Sequence, residues 1–130
     1  MEAARQVPRR IRVLIADDQR LFAEALEAIL AGDDRIEVVG RAHDGKEAVK
    51  LAISLEPDVV LMDIAMPVMD GVEATKRLRR KLPEVCVLML TGSNSREDVD
   101  RSRRAGAGAY VTKDRIASQL VEAIVELVER

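Results

Sequence analysis

The stretch PDVVLMDIAMPVMDG, residues 57–71, runs four apolar residues (Val59, Val60, Leu61, Met62) straight into a carboxylate at Asp63. Pro67 and Gly71 then signal turns, with a second acid, Asp70, between them. A run that is apolar at every position suits a parallel strand covered on both faces. A carboxylate at its end is costly, because charging an unpaired acid at the edge of a core takes several kcal/mol unless a partner or a metal offsets it. Asp63 therefore needs partners elsewhere in the chain.

Working outward, four more short apolar runs stand on either side: IRVLIA (11–16), IEVVGRA (36–42), CVLML (86–90) and AYV (109–111). All but IEVVGRA are apolar nearly throughout. Between the runs, apolar residues recur at helical spacing. Leu21, Phe22, Ala25, Leu26, Ile29 and Leu30 form one stripe, with Gly32 as its stop. Ala48, Val49, Ala52 and Leu55 form a second, ended by Pro57, and Val72, Ala74, Thr75 and Leu78 a third, ended by Pro83. Ile116, Leu120, Ile124 and Leu127 line the last helix. A fourth helix, residues 96–105, is different: seven of its first nine residues are charged, which leaves Val99 as its one sizeable apolar side chain. Five runs alternating with helices predict right-handed βαβ crossovers and an α/β doubly wound five-stranded parallel sheet. Residues 1–10 read as an N-terminal tail and 11–130 as one domain.

Composition narrows the function. A chain of 130 residues fits one domain. With 48% hydrophobic and 34% charged residues it is globular and not disordered. The net charge of -2 gives no overall basic character to suggest nucleic acid. Cys86 is the single cysteine, so neither an intramolecular disulfide nor a zinc cluster is available. MEAARQVPRR lacks the apolar core of a secretory signal. No apolar run approaches the roughly 18 residues that span a bilayer. The chain is expected in the cytoplasm, away from membranes.

Ligands of open parallel sheets bind beyond the carboxyl ends of the strands. Asp17 and Asp18 follow the first run, Asp63 the third, Thr91 the fourth, and Thr112 and Lys113 the fifth. The second offers only His43 and Asp44. Three carboxylates, a hydroxyl and an ammonium thus share one edge. Converging acids repel unless a cation sits among them, and hard oxygen ligands with open positions suit Mg²⁺ and a phosphoryl partner. Lys113 is placed for phosphate oxygens as a point charge and Thr91 as a hydroxyl donor. Other features have plainer explanations. Ser95 and Asp98 read as a helix cap, His43 as a surface side chain, and Arg101, Arg103 and Arg104 as a solvated helix face. GAGAY (106–110) precedes a strand, so it fails as a dinucleotide fingerprint, and no phosphate-loop motif is present.

Taken together, IADDQ, LMDIAMPVMDG, MLTG and AYVTKD resemble the receiver domain of bacterial two-component response regulators, in particular those fused to LuxR-type helix-turn-helix output domains. The resemblance spans residues 12–128. It implies a flavodoxin-like fold with strand order 2-1-3-4-5, and Asp63 as the phosphoacceptor. Asp18 would ligate Mg²⁺ directly, Asp17 through water, and Ala65 through its backbone carbonyl. Thr91 and Lys113 would contact the phosphoryl group, and Tyr110 would be an aromatic switch turning in from an outward rotamer. The implied donor is a sensor histidine kinase. The implied output is a change of the surface made by the fourth helix, fifth strand and fifth helix, favouring a homodimer or a new partner. DNA would be reached only through an output domain outside this chain. The domain would modify itself without turning over a separate substrate.

Two departures stand out. Relatives often carry a larger or polar side chain at the position of Ala65, and many have a cis proline at that of Asp114. A cis non-prolyl bond costs about 2.5–4 kcal/mol, so trans is expected. Two rivals remain. A haloacid-dehalogenase-like phosphatase also uses an aspartate nucleophile, but after its first strand and with a second acid where this chain has Ala65. A degenerate receiver acting only as an interaction module would lack key positions that are all present here.

Overall fold

Along the chain come β1 (Ile11–Ala16), α1 (Arg20–Ala31), β2 (Ile36–Ala42), α2 (Gly45–Leu55), β3 (Val59–Asp63), α3 (Gly71–Lys81), β4 (Cys86–Thr91), α4 (Arg96–Ala105), β5 (Ala109–Thr112), a 3₁₀ turn (Lys113–Arg115) and α5 (Ile116–Glu129). The computed structural model describes residues 9–92 and 95–130, so most of the expected N-terminal tail lies outside the described residues. All strands are parallel and pair in the order β2-β1-β3-β4-β5. The five apolar runs are the five strands. β3, β4 and β5 each extend one residue further than their apolar runs, which makes Asp63, Thr91 and Thr112 the last residues of the ladder.

Two apolar layers explain why β3 shows no alternation. Val59 and Leu61 face a layer with Leu26 and Leu30 of α1 and Leu120 and Ile124 of α5. Val60 and Met62 face the opposite layer, with Ala48 and Ala52 of α2 and Leu78 of α3. Each of the valine, leucine, isoleucine and methionine side chains here, fully buried, contributes about 1.5–3 kcal/mol. β2 lies at the edge and is only partly covered, matching its mixed composition.

Three helices open on side-chain caps, the expected one at Ser95 among them. Asp44, Asp70 and Ser95 accept from the backbone N–H groups of Glu47, Glu73 and Asp98, satisfying donors a helix start leaves free. Gly32 stops α1 in an ordinary right-handed conformation, donating to the Ile29 carbonyl, so no left-handed turn is used there. Left-handed residues end α2, at Glu56 (φ 50°), and α4, at Gly106 (φ 107°). Peptide bonds among the described residues are all trans, including the one after Lys113. No helix among them is long and apolar enough to cross a membrane.

Candidate functional site

The acids sit where the parallel sheet ends. Asp17 follows β1, its N–H held by the Ala42 carbonyl (3.0 Å) and its Oδ1 accepting from the Gln19 N–H (2.7 Å). Asp63 closes β3, and the chain then folds back on itself. The Ile64 N–H donates to Leu90 O (3.1 Å) and the Gly71 N–H to Ile64 O (2.8 Å). Two glycines permit this approach. A Cβ on Gly71 would lie 2.2 Å from the Asp63 carbonyl oxygen, and one on Gly45 would lie 2.1 Å from that of Met69. The first residues of α2 and α3 are thus pressed against the segment carrying Asp63.

Carboxylate oxygens of Asp17, Asp18 and Asp63 lie within 4.8 Å of one another. Asp17 and Asp63 are only 2% and 5% exposed, whereas Asp18 is open to solvent. Lys113 reaches across from the end of β5. Its Nζ lies 3.2 Å from Asp17 Oδ2 and 3.4 Å from Asp63 Oδ2. Three carboxylates against one ammonium leave a local charge of about -2. Burial pushes the Asp63 carboxyl up to about 6, Asp17 adds to the rise, and Lys113 and the Ala65 N–H (3.4 Å) oppose it. Asp17 Oδ2 is buried and accepts no hydrogen bond, although the ammonium is near. An orphaned buried oxygen, hard donors and excess negative charge fit a divalent cation.

The other expected residues fall around this cluster. Thr91 is buried at the end of β4, paired in register with Thr112. Ala65 is exposed at the rim. Tyr110 stands on β5 and is half-buried. The ring is half-buried against the α2–α4 layer, where Val99 and Ser102 leave a groove between α4 and β5. Sequence reading missed two residues that hold Lys113. Gln19 Oε1 accepts from its Nζ at 3.3 Å, and the Phe22 ring lies 4.2 Å beneath it. Phe22 reads as part of an apolar stripe, and only the fold turns it toward the ammonium. His43 is exposed and stands outside the cluster.

The raised Asp63 value has a signed consequence for stability. A carboxyl whose folded-state value lies above its ordinary 3.8 favours the fold when protonated, and this contribution is lost as pH rises through about 6. In chelator, Asp63→Asn is therefore expected to be more stable than the parent by about 1–2 kcal/mol above about pH 7. The gap should close as pH falls toward 4. Urea denaturation across this range checks it, and a constant gap would contradict the assigned cause.

Comparisons with known proteins converge. The family model described as the response regulator receiver domain matches residues 13–125. The transcriptional regulatory protein LiaR of Bacillus subtilis is 42% identical over 114 residues, covering 88% of this chain and 54% of the relative. The chain thus spans about half the length of that relative. The response regulator domain of Thermotoga maritima CheB superposes with a TM-score of 0.88 at 34% identity, covering 94% of this chain and 98% of that one. A DNA-binding response regulator of the LuxR family from Staphylococcus aureus gives 0.85 at 28% identity, covering 91% and 98%.

Proposed function

Because the chain belongs to the response regulator receiver domain family, we propose that it is a phosphoacceptor in two-component signalling. The observation that carries this reading is the meeting of Asp17, Asp18 and Asp63 at the ends of β1 and β3, with the Lys113 ammonium from the end of β5 against Asp17 and Asp63. A carboxylate oxygen of Asp63 attacks phosphorus in line, forming the O–P bond as the P–N bond to a kinase phosphohistidine breaks and the imidazole leaves. Lys113 neutralises charge growing on the phosphoryl oxygens, and the Thr91 hydroxyl donates to one of them. Asp18 and Asp63, with the Ala65 carbonyl, and Asp17 through water, would hold Mg²⁺, which supplies further neutralisation of that charge. No separate substrate is turned over.

The partner proposed is a sensor histidine kinase, and the compartment the cytoplasm. Since the chain spans about half of LiaR, we place its output in a DNA-binding half beyond this chain, with a phosphorylation-dependent homodimer as one route to it. Incubation with acetyl phosphate and Mg²⁺, read by intact mass, tests the reading: a gain of one phosphoryl group supports it, and no gain overturns it. Sustained hydrolysis of p-nitrophenyl phosphate would instead favour the phosphatase alternative.

Two further outcomes are expected. Asp18→Ala should weaken Mg²⁺ binding at least about tenfold in a fluorescence or calorimetric titration while preserving the fold, since the remaining acids compete poorly with water for the ion. An unchanged titration removes Asp18 from the ligands. With beryllofluoride as a phosphoryl mimic, amide-exchange protection should change around β4, α4 and β5. α4 buries only Ser102 and Ala105, so it is weakly anchored. Charge arriving beside Thr91 would shift it, with Tyr110 settling deeper into its groove. Changes confined to α1 and α2 would refute this switch.

A further inference from the structure

Charge is unevenly distributed over this fold. α3 and α4 together carry nine cationic and four anionic side chains, a net +5, in a chain whose net charge is -2, so everything else sums to -7. Read helix by helix, Arg103 and Arg104 are a solvated face. The fold sets them beside α3. The stem of Arg79 packs where a Cβ on Gly106 would stand, so the C-terminal ends of the two helices meet there, while its guanidinium bonds the Leu82 and Val85 carbonyls just past α3. Lys76, Arg101 and Arg104 line one groove between the two helices, with Asp70 and Glu73 at its α3 side. Lys76, Arg80, Lys81, Arg103 and Arg104 are all exposed, and among the described residues none has an ion-pair partner.

Favourable interaction with helix dipoles is the plain explanation for basic last turns. It does not account for their distribution. α1, α2 and α5 have no basic residue in their last turns, and the two helices that do are neighbours. We propose that the α3–α4 face binds the phosphate backbone of duplex nucleic acid, independently of sequence. A protein partner is the weaker fit, because protein interfaces are anchored by apolar and aromatic side chains and depleted of Lys. Among the described residues the exposed large apolar ones, Leu21, Ile53, Val68 and Val128, all lie off these two helices. Solvated cations on two neighbouring helices, without an apolar anchor, match a ligand that is itself a row of phosphates.

The test uses the whole chain without Mg²⁺ or phosphodonor, so it stands apart from the Asp63 reading. Fluorescence anisotropy of a short labelled duplex of arbitrary sequence should show weak binding whose logarithm falls linearly with log salt, with a slope of about -3 to -4. Arg80→Glu with Arg104→Glu should weaken binding at least about tenfold at low salt and flatten the slope by about 2. The milder pair Lys76→Gln with Arg103→Gln should flatten it likewise. Lys46→Glu with Lys50→Glu, exposed on α2, should change it far less. Absent binding, or equal loss from the α2 pair, overturns the proposal. So does tighter binding of a polyglutamate peptide than of the duplex, which would point to an acidic protein partner.

Discussion

Asp63→Ala protein is expected to gain no mass from acetyl phosphate and Mg²⁺, with labelling below about a hundredth of the parental rate. Two other acids sit in the same cluster, so this outcome depends on what separates them. Asp18 is exposed and makes no ion pair with Lys113, so nothing there concentrates positive charge on an incoming phosphoryl group. Asp17 does meet Lys113, but it is the most buried of the three, and its Oδ1 is tied to the Gln19 N–H. Asp63 has one oxygen toward Lys113 and the other in only a long contact with the Ala65 N–H. Of the two acids that meet Lys113, it is therefore the less restrained for attack. Asp63→Asn is a useful companion, because a carboxamide removes the nucleophile while the metal-free fold is expected to gain stability. Loss of labelling in a more stable protein cannot be ascribed to unfolding. If either variant labels as fast as the parent, Asp63 is not the acceptor.

The architecture was readable because β3 and its neighbours are covered on both faces, and such strands announce themselves as unbroken apolar runs. The site was readable for a related reason. Asp63 and Thr91 end a strand, Asp17 and Lys113 each follow one, and in a parallel sheet all strand ends of one sense share an edge. Contacts set by three-dimensional approach were not readable. Phe22 has the spacing of a core residue and half serves as one, yet its ring also lies beneath the Lys113 ammonium. Gly32 has the sequence position of a left-handed stop and does not adopt that conformation, while Glu56, with no such signal, does. The basic face is the clearest case. Each helix alone has an ordinary charged surface, and only the packing of α3 against α4 makes one patch of both. Gly45 and Gly71 look like helix-start glycines, and nothing in the chain shows that each faces a backbone carbonyl.

That close approach leads to the second large expected effect. Gly71→Ala should destabilise the protein by about 2–4 kcal/mol and reduce phosphorylation of the molecules that remain folded. The added Cβ would meet the Asp63 carbonyl oxygen at 2.2 Å, its carbonyl carbon at 2.9 Å and Ile64 Cα at 3.0 Å. All three are backbone atoms, so no rotamer change relieves the overlap. α3 cannot easily retreat either. Val72, Ala74 and Leu78 are buried beneath the sheet, and buried Thr75 donates to the Gly71 carbonyl at 2.7 Å and touches Met89 Sδ at 3.6 Å. The movement is therefore shared with Asp63, whose carboxylate must keep its place against Lys113 to react. Gly32→Ala is the proper control, since its Cβ would meet only Ile29 O at an ordinary 3.5 Å and its φ is that of a right-handed helix. It should fall within about 0.5 kcal/mol of the parent. Denaturation midpoints and acetyl phosphate labelling, measured where both variants are folded, separate the two parts of this expectation. A Gly71→Ala protein that is destabilised but labels at the parental rate would mean that α3 shifts and Asp63 does not. One as stable as the parent would mean that the contact is not as tight as 2.2 Å implies.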